Sequence, residues 1–154
     1  MPALNPFFAL QRRIAALLEA NAYFTGLTAT GQILTEEIGD LEFVVMNKLL
    51  PLSFGVVVTT AAGKARENEY EVLMTDEDLN VSIMWNPTTD PKHKMLDAVA
   101  AAIAALQNQF VQETPPPAPR PFDYFRITGH QKRLDGPPGV NVHEIYVLAG
   151  LRLS

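Results

Sequence analysis

From Phe7 onward the apolar positions recur at helical spacing: Phe7, Leu10, Ile14, Leu17 and Leu18 share one face, while Arg12, Arg13 and Glu19 fall largely elsewhere. Asn5 and Pro6 mark the start of that helix. An Asn side chain accepts from the open N–H groups of a first turn, and Pro at the first helical position forfeits no hydrogen bond. The helix is expected to end near Asn21, with Gly26 in the loop beyond. Next comes an extended lead-in from Gln32 to Thr35 and an acidic turn at Glu36, Glu37, Gly39 and Asp40. Asp40 is placed to cap a second helix, in which Leu41, Val44, Val45 and Leu49 keep 3–4 spacing and Lys48 is the polar exception. Val44 and Val45 also suit a strand. Pro51 ends the segment.

Phe54 to Thr60 reads as a strand with little alternation, hence buried on both faces or central in its sheet. Ala61 to Asn68 is a polar connection. Tyr70, Val72 and Met74 then alternate with Glu69, Glu71, Leu73 and Thr75, and Asp76, Glu77 and Asp78 read as a second acidic turn. Leu79, Val81, Ile83 and Trp85 alternate with Asn80, Ser82, Met84 and Asn86, which predicts a strand with one wet face. Asp90-Pro91 repeats the Asn5-Pro6 device and opens a third helix, with Leu96, Val99, Ile103, Leu106 and Phe110 on its apolar face. Six alanines between Ala98 and Ala105 leave the rest of that helix thin. Glu113 to Pro121 is a stiff polyproline-type spacer. Phe122 to Thr128 suits a strand, His130 to Gly139 a basic Gly/Pro-rich loop, and Val140 to Leu153 a last long strand.

The predicted order is α-α-β-β-β-α-β-β over one domain, residues 1–154, with the spacer at 113–121 before the C-terminal strands. The expected class is α+β: a mostly antiparallel sheet of four to five strands flanked by two to three helices. Leu10, Ile14, Leu17, Val57, Val72, Val81, Ile83, Val99, Ile103, Leu106, Ile145 and Val147 are the expected core.

Composition narrows the function. Hydrophobic residues make up 47% of the 154 and charged residues 19%, a globular balance rather than a disordered one. The net charge of −5 argues against a general nucleic-acid binder. The absence of cysteine excludes disulfides, Cys-based zinc sites and thiol catalysis. The N-terminus lacks the basic and apolar regions of a signal peptide, and no uncharged stretch reaches the ~18 apolar residues of a membrane span. A soluble, cytoplasmically made protein is expected.

The candidate chemistry is sparse. His93, His130 and His143 show no metal-ligand spacing on a helix and read as surface or rim residues, and His143 and Glu144, adjacent on a strand, point to opposite faces. The carboxylates at 36–42 and 76–78 sit where turns and caps favour them. Gly63-Lys64 lacks the rest of a phosphate loop, and Gly136-Pro-Pro-Gly139 lacks N–H donors. None of the three serines lies in a nucleophile elbow. The expectation is no catalytic residue, no cofactor and no metal. Basic pairs remain: Lys64 with Arg66, Lys92 with Lys94, and Lys132 with Arg133. Lys92, His93 and Lys94 are read at a helix N-terminus, the end that disfavours cations. The polar stretches 61–68 and 130–139, through Lys64, Arg66, Lys132 and Arg133, are the candidate partner surfaces.

Several segments resemble small tail proteins of tailed bacteriophages and prophages: LNPFFALQRRIAALLEA at the start, ILTEEIGDLE leading to a helix and then FGVVVTT, a strand ending at Asn86, an Ala-rich helix, and IYVLAGLRL at the end. The similarity covers most of residues 1 to 112 and the last strand, and the nearest function is that of the tail terminator, or tail completion (neck) protein. That resemblance implies a small α/β protein without an active site. It would close into a homo-hexameric ring on the tail tube protein, stop tube growth, and present a docking surface to the head–tail connector or neck protein. It would belong to the virion and assemble in the host cytoplasm, with no membrane partner. Six copies at −5 each carry about −30, a field suited to a channel through which DNA slides without specific binding. The alternatives are another tail or neck ring, such as a tube or baseplate initiator or a head–tail adaptor; an unrelated ligand-binding or protein-binding adaptor domain; and, ranked last, an enzyme using His93 or His130.

Overall fold

A computed structural model describes residues 5–49, 53–66 and 74–152. Helix α1 spans Pro6–Ala20 and starts as its residues dictate: the Asn5 side chain accepts from the N–H groups of Phe7 (2.9 Å) and Phe8 (3.4 Å). Strand β1 is Ile33–Thr35, followed by a 3-10 turn over Glu36–Ile38. Helix α2 covers Leu41–Val44 and runs into a π turn at Val45–Leu49. Asp40 caps it, accepting from Phe43 N at 3.1 Å. Strands β2 (Phe54–Ala65) and β3 (Met74–Trp85), helix α3 (Met95–Leu106), and strands β4 (Arg126–Arg133) and β5 (Asn141–Arg152) complete the chain.

The five strands form one sheet in the order β1-β2-β3-β5-β4. Among the described residues only β1–β2 is parallel, so the α+β sheet is mixed but mostly antiparallel. Helices α1 and α3 cover one face. There Leu10, Ile14 and Leu18 of α1 meet Val56 and Val58 of β2, Val81 and Ile83 of β3, and Ile145 and Val147 of β5. Each such buried aliphatic side chain contributes about 1.5–3 kcal/mol relative to exposure. On the opposite face Val57 joins Leu34, Val45 and Leu49 in a smaller cluster beneath α2. The weak alternation of Phe54–Val58 thus reflects burial on both sides, as expected.

Several expectations need correction. The stretch from Phe54 to Trp85 holds two long strands among the described residues rather than three short ones. Ala61–Ala65 continue β2, and Asp76, Glu77 and Asp78 are strand residues paired with Lys64, Gly63 and Ala62. The sheet tolerates them because Arg66 neutralises Asp76 and Gly63 leaves space for the Glu77 carboxylate, which lies where a Cβ would stand. Tyr70 and Val72 lie outside the described residues. The short β1 adds a strand to the predicted order. Asp90 does not cap α3. It folds a turn of its own, accepting from Lys92 N (2.9 Å) and His93 N (3.3 Å), and the helix begins five residues later.

The buried face of α3 is Ala98, Val99, Ala102 and Leu106, so its alanines allow close approach to α1 and the sheet while Leu96 points to solvent, 70% exposed. Leu17 and Ile103 pack only partly against the core. Phe122 lies in a 3-10 turn (Pro121–Asp123), not a strand, and β4 starts at Arg126 and runs through His130 to Arg133. The residues expected to form a loop from His130 are therefore ladder residues up to Arg133, because β5 offers them partners.

Candidate functional site

The four basic residues singled out from the sequence do not converge. Lys64 stands opposite Asp76 near the end of β2, and Arg66 follows just beyond the strand. The Arg66 guanidinium donates to Asp76 Oδ1 through Nη2 (2.6 Å) and Nε (2.9 Å), and lies 4.4 Å from the centre of the Phe122 ring. Lys132 and Arg133 pair with His143 and Val142. The antiparallel ladders place β2's last residues at the same end of the sheet as β5's last residues, across β3, and β4's last residues beside β5's first. The two basic pairs therefore occupy opposite ends of the sheet. Arg133 is held by Asp135 (Nη2–Oδ2 2.8 Å) and by Glu144 (Nη1–Oε1 3.0 Å), which raise its already high pKa. Both arginines thus have roles within the fold. Lys64 and Lys132 are exposed and make no ion pair among the described residues.

His130 is exposed, as expected of a surface residue, whereas His93 is half-buried and His143 buried. His93 stacks flat on Phe54, with ring centres 3.9 Å apart, and its Nδ1 meets Asp90 Oδ2 at 2.6 Å. The i,i+3 spacing of Asp90 and His93 was visible in the sequence, but in a turn instead of a helix. Lys92, His93 and Lys94 precede α3, and Tyr23 clamps them: its hydroxyl donates to the Lys94 carbonyl (3.2 Å) and accepts from Lys94 N (3.1 Å). His143 is buried on the helix-covered side of the sheet, and its Nε2 lies 2.9 Å from His130 Nδ1 across the β4–β5 ladder. Burial, then the neighbouring His130 and Lys132, push the His143 pKa below its ordinary value. Among the described residues no group of three or more His, Asp or Glu is placed to hold a metal ion.

Sequence reasoning also passed over Gln11. It is buried on the inner face of α1, donates from Nε2 to Glu36 Oε1 and Thr60 Oγ1 (2.9 Å each), and accepts from Glu36 N at 2.9 Å. Thr60 N completes the knot by donating to Glu36 Oε1 at 2.7 Å. One polar side chain thereby ties α1, the 36–38 turn and β2. Its signal was positional, since Gln11 lies three residues before Ile14 and four after Phe7, on the apolar stripe.

A groove of about 570 Å³ runs between α1, residues 111–113 and the end of β5, flanked by Arg12, Arg13 and Arg152. Arg12 is engaged by Glu37, and Arg13 Nε donates to the Phe110 carbonyl at 3.1 Å. Ile38, Phe43 and Met46 expose large apolar side chains near one edge of the sheet, and Leu134 does so just past the other. Among the described residues no helix is long and apolar enough to cross a membrane.

No family model and no curated protein matches the chain. Among solved structures, it shares its fold with a chain of the virion of native gene transfer agent (GTA) particle. The TM-score is 0.58 at 14% identity, over 97% of this chain and 99% of that one.

Proposed function

We propose that this protein is a structural component of a phage-like virion, working as a tail terminator: a ring of identical subunits that caps the tail tube, ends its polymerisation and offers a docking surface to the neck. One observation carries the reading. The fold, end to end, is that of a chain in a gene transfer agent virion particle, with nearly the whole length of both chains superposed. The tail-protein texture of residues 1 to 112 and of the last strand supports the same assignment. So do exposed apolar side chains near both sheet edges, which suit a subunit made to be joined.

In this reading the ring has six copies, DNA passes its acidic lumen without specific binding, and the protein performs no catalysis. Lys64 with Arg66 and Lys132 with Arg133, at opposite ends of the sheet, contribute partner contacts in ring closure or in docking to the tube and connector. The test is deletion of the gene followed by electron microscopy of the particles. Tails of irregular, extended length are the expected result. Tails of normal length that fail to join heads would instead assign the chain to a neck or adaptor ring. Absence from purified particles would overturn the virion reading altogether.

A further inference from the structure

The two edges of the sheet carry opposite charge and matching apolar side chains. At the β1 edge, residues 36–48 hold Glu36, Asp40, Glu42 and the Arg12-paired Glu37 against the single Lys48, and expose Ile38 (43%), Phe43 (57%) and Met46 (52%). Phe43 and Met46 are three apart, on successive turns of α2 and its π extension, and so share a side. The inner face of the same segment is already used, since Val45 and Leu49 are buried against Leu34 and Val57. At the β4 edge, residues 126–135 hold Arg126, Lys132 and Arg133 against the single Asp135, and expose Leu134 (90%). β4 is the last strand of the sheet, so the outward side of its backbone has no strand partner among the described residues.

We infer that neighbouring subunits join head to tail, the acidic apolar surface of α2 and its flanking turns (Phe43, Met46, Ile38, Glu42) seating on the basic end of the β4 edge (Lys132, Leu134) of the next copy. Charge decides the geometry. A two-fold contact centred on either patch would set acid on acid or base on base, whereas the heterologous contact sets opposite signs together and leaves a free patch of each kind to propagate. Placement of the patches at opposite edges of one sheet lets that propagation close into a ring. The inference rests on the ring reading above and specifies the surfaces that make the ring.

The cysteine-free sequence provides a clean test. Phe43→Cys and Leu134→Cys alter exposed side chains, and circular dichroism checks that each variant folds. Assembled particles, and the purified full chain at high concentration, are then oxidised. The double variant is expected to give a ladder of disulfide-linked oligomers ending at the ring, while each single variant gives none. A covalent dimer from Phe43→Cys alone would mean a two-fold contact and would overturn the proposal. So would a ring seen by mass photometry or microscopy with no ladder; in that case the ring stands and only the surfaces are wrong. A single copy per particle would remove the ring reading itself, and with it this contact. As an independent check, Glu42→Lys or Lys132→Glu should weaken self-association about tenfold at low salt, and combining them should recover most of the loss.

Discussion

Phe122 lies directly on Gly150. A Cβ at Gly150 would meet the Phe122 carbonyl oxygen at 2.8 Å and its Cβ at 2.9 Å. The 3-10 turn at Pro121–Asp123 is thereby laid flat on β5, with its ring beneath the guanidiniums of Arg66 (4.4 Å) and Arg152 (5.5 Å). The nearest clashing atom is backbone, so a rotamer change cannot relieve it. Gly150→Ala should lift the turn from the sheet and destabilise the fold by about 1–3 kcal/mol. Thermal unfolding reads this directly, and an unchanged melting temperature would refute the packing.

Gln11 offers a second check. Replacing it with Leu keeps the size but strips a donor shared by Glu36 and Thr60 and the acceptor for Glu36 N. A loss of about 1–3 kcal/mol is expected in urea unfolding, because buried polar partners are left unmet. Gln11→Glu should be worse, since it places a second carboxylate beside Glu36.

The buried His143 predicts acid sensitivity. Burial disfavours the charged form of His143, so its folded pKa lies below the ordinary value of 6.5. Below that pH the unfolded chain binds the proton more readily than the folded one. Stability is therefore intact above pH 6.5 and falls as the pH drops below it. His143→Gln should flatten this part of the stability–pH profile. A profile of wild-type shape in that variant would rule His143 out as the cause.

Ile83 and Ile103 were expected to be equivalent core positions, and the structure separates them. Ile83 is fully buried on β3, whereas Ile103 packs only partly against the core from α3. Ile83→Asp should abolish folding, since an unpaired buried charge is unfavourable by several kcal/mol. Ile103→Asp should leave a folded but weakened subunit. Circular dichroism with thermal melts distinguishes the two, and equal behaviour would contradict the burial.

The docking role of the basic pairs can be separated from their local one. Lys64→Glu and Lys132→Glu leave the Arg66–Asp76 and Arg133–Glu144 contacts untouched. Both variants should fold normally by circular dichroism yet yield fewer complete particles, most clearly at low salt where charge contacts are least screened. Normal particle yield from both would mark these lysines as solvated side chains.

Local chemistry determined much of this protein. Asn5-Pro6 starts α1, Asp40 caps α2, and the alternation from Leu79 to Trp85 makes a strand, because each device acts on groups within a few residues of itself. Tertiary structure decided the rest. Asp76, Glu77 and Asp78 look like a turn by themselves, yet lie inside β3 because Gly63 on the neighbouring strand and Arg66 just beyond it accommodate them. His130 looks like loop and is ladder because β5 pairs with it, and that pairing alone brings it to His143. Asp90 resembles Asn5 in sequence, but its carboxylate finds His93 first. The candidate contact surfaces follow from the strand order, which places α2 and β4 at opposite edges of the sheet. That order depends on which strands bury their faces together under α1 and α3. This is a property of the whole hydrophobic core, and no local window of residues contains it.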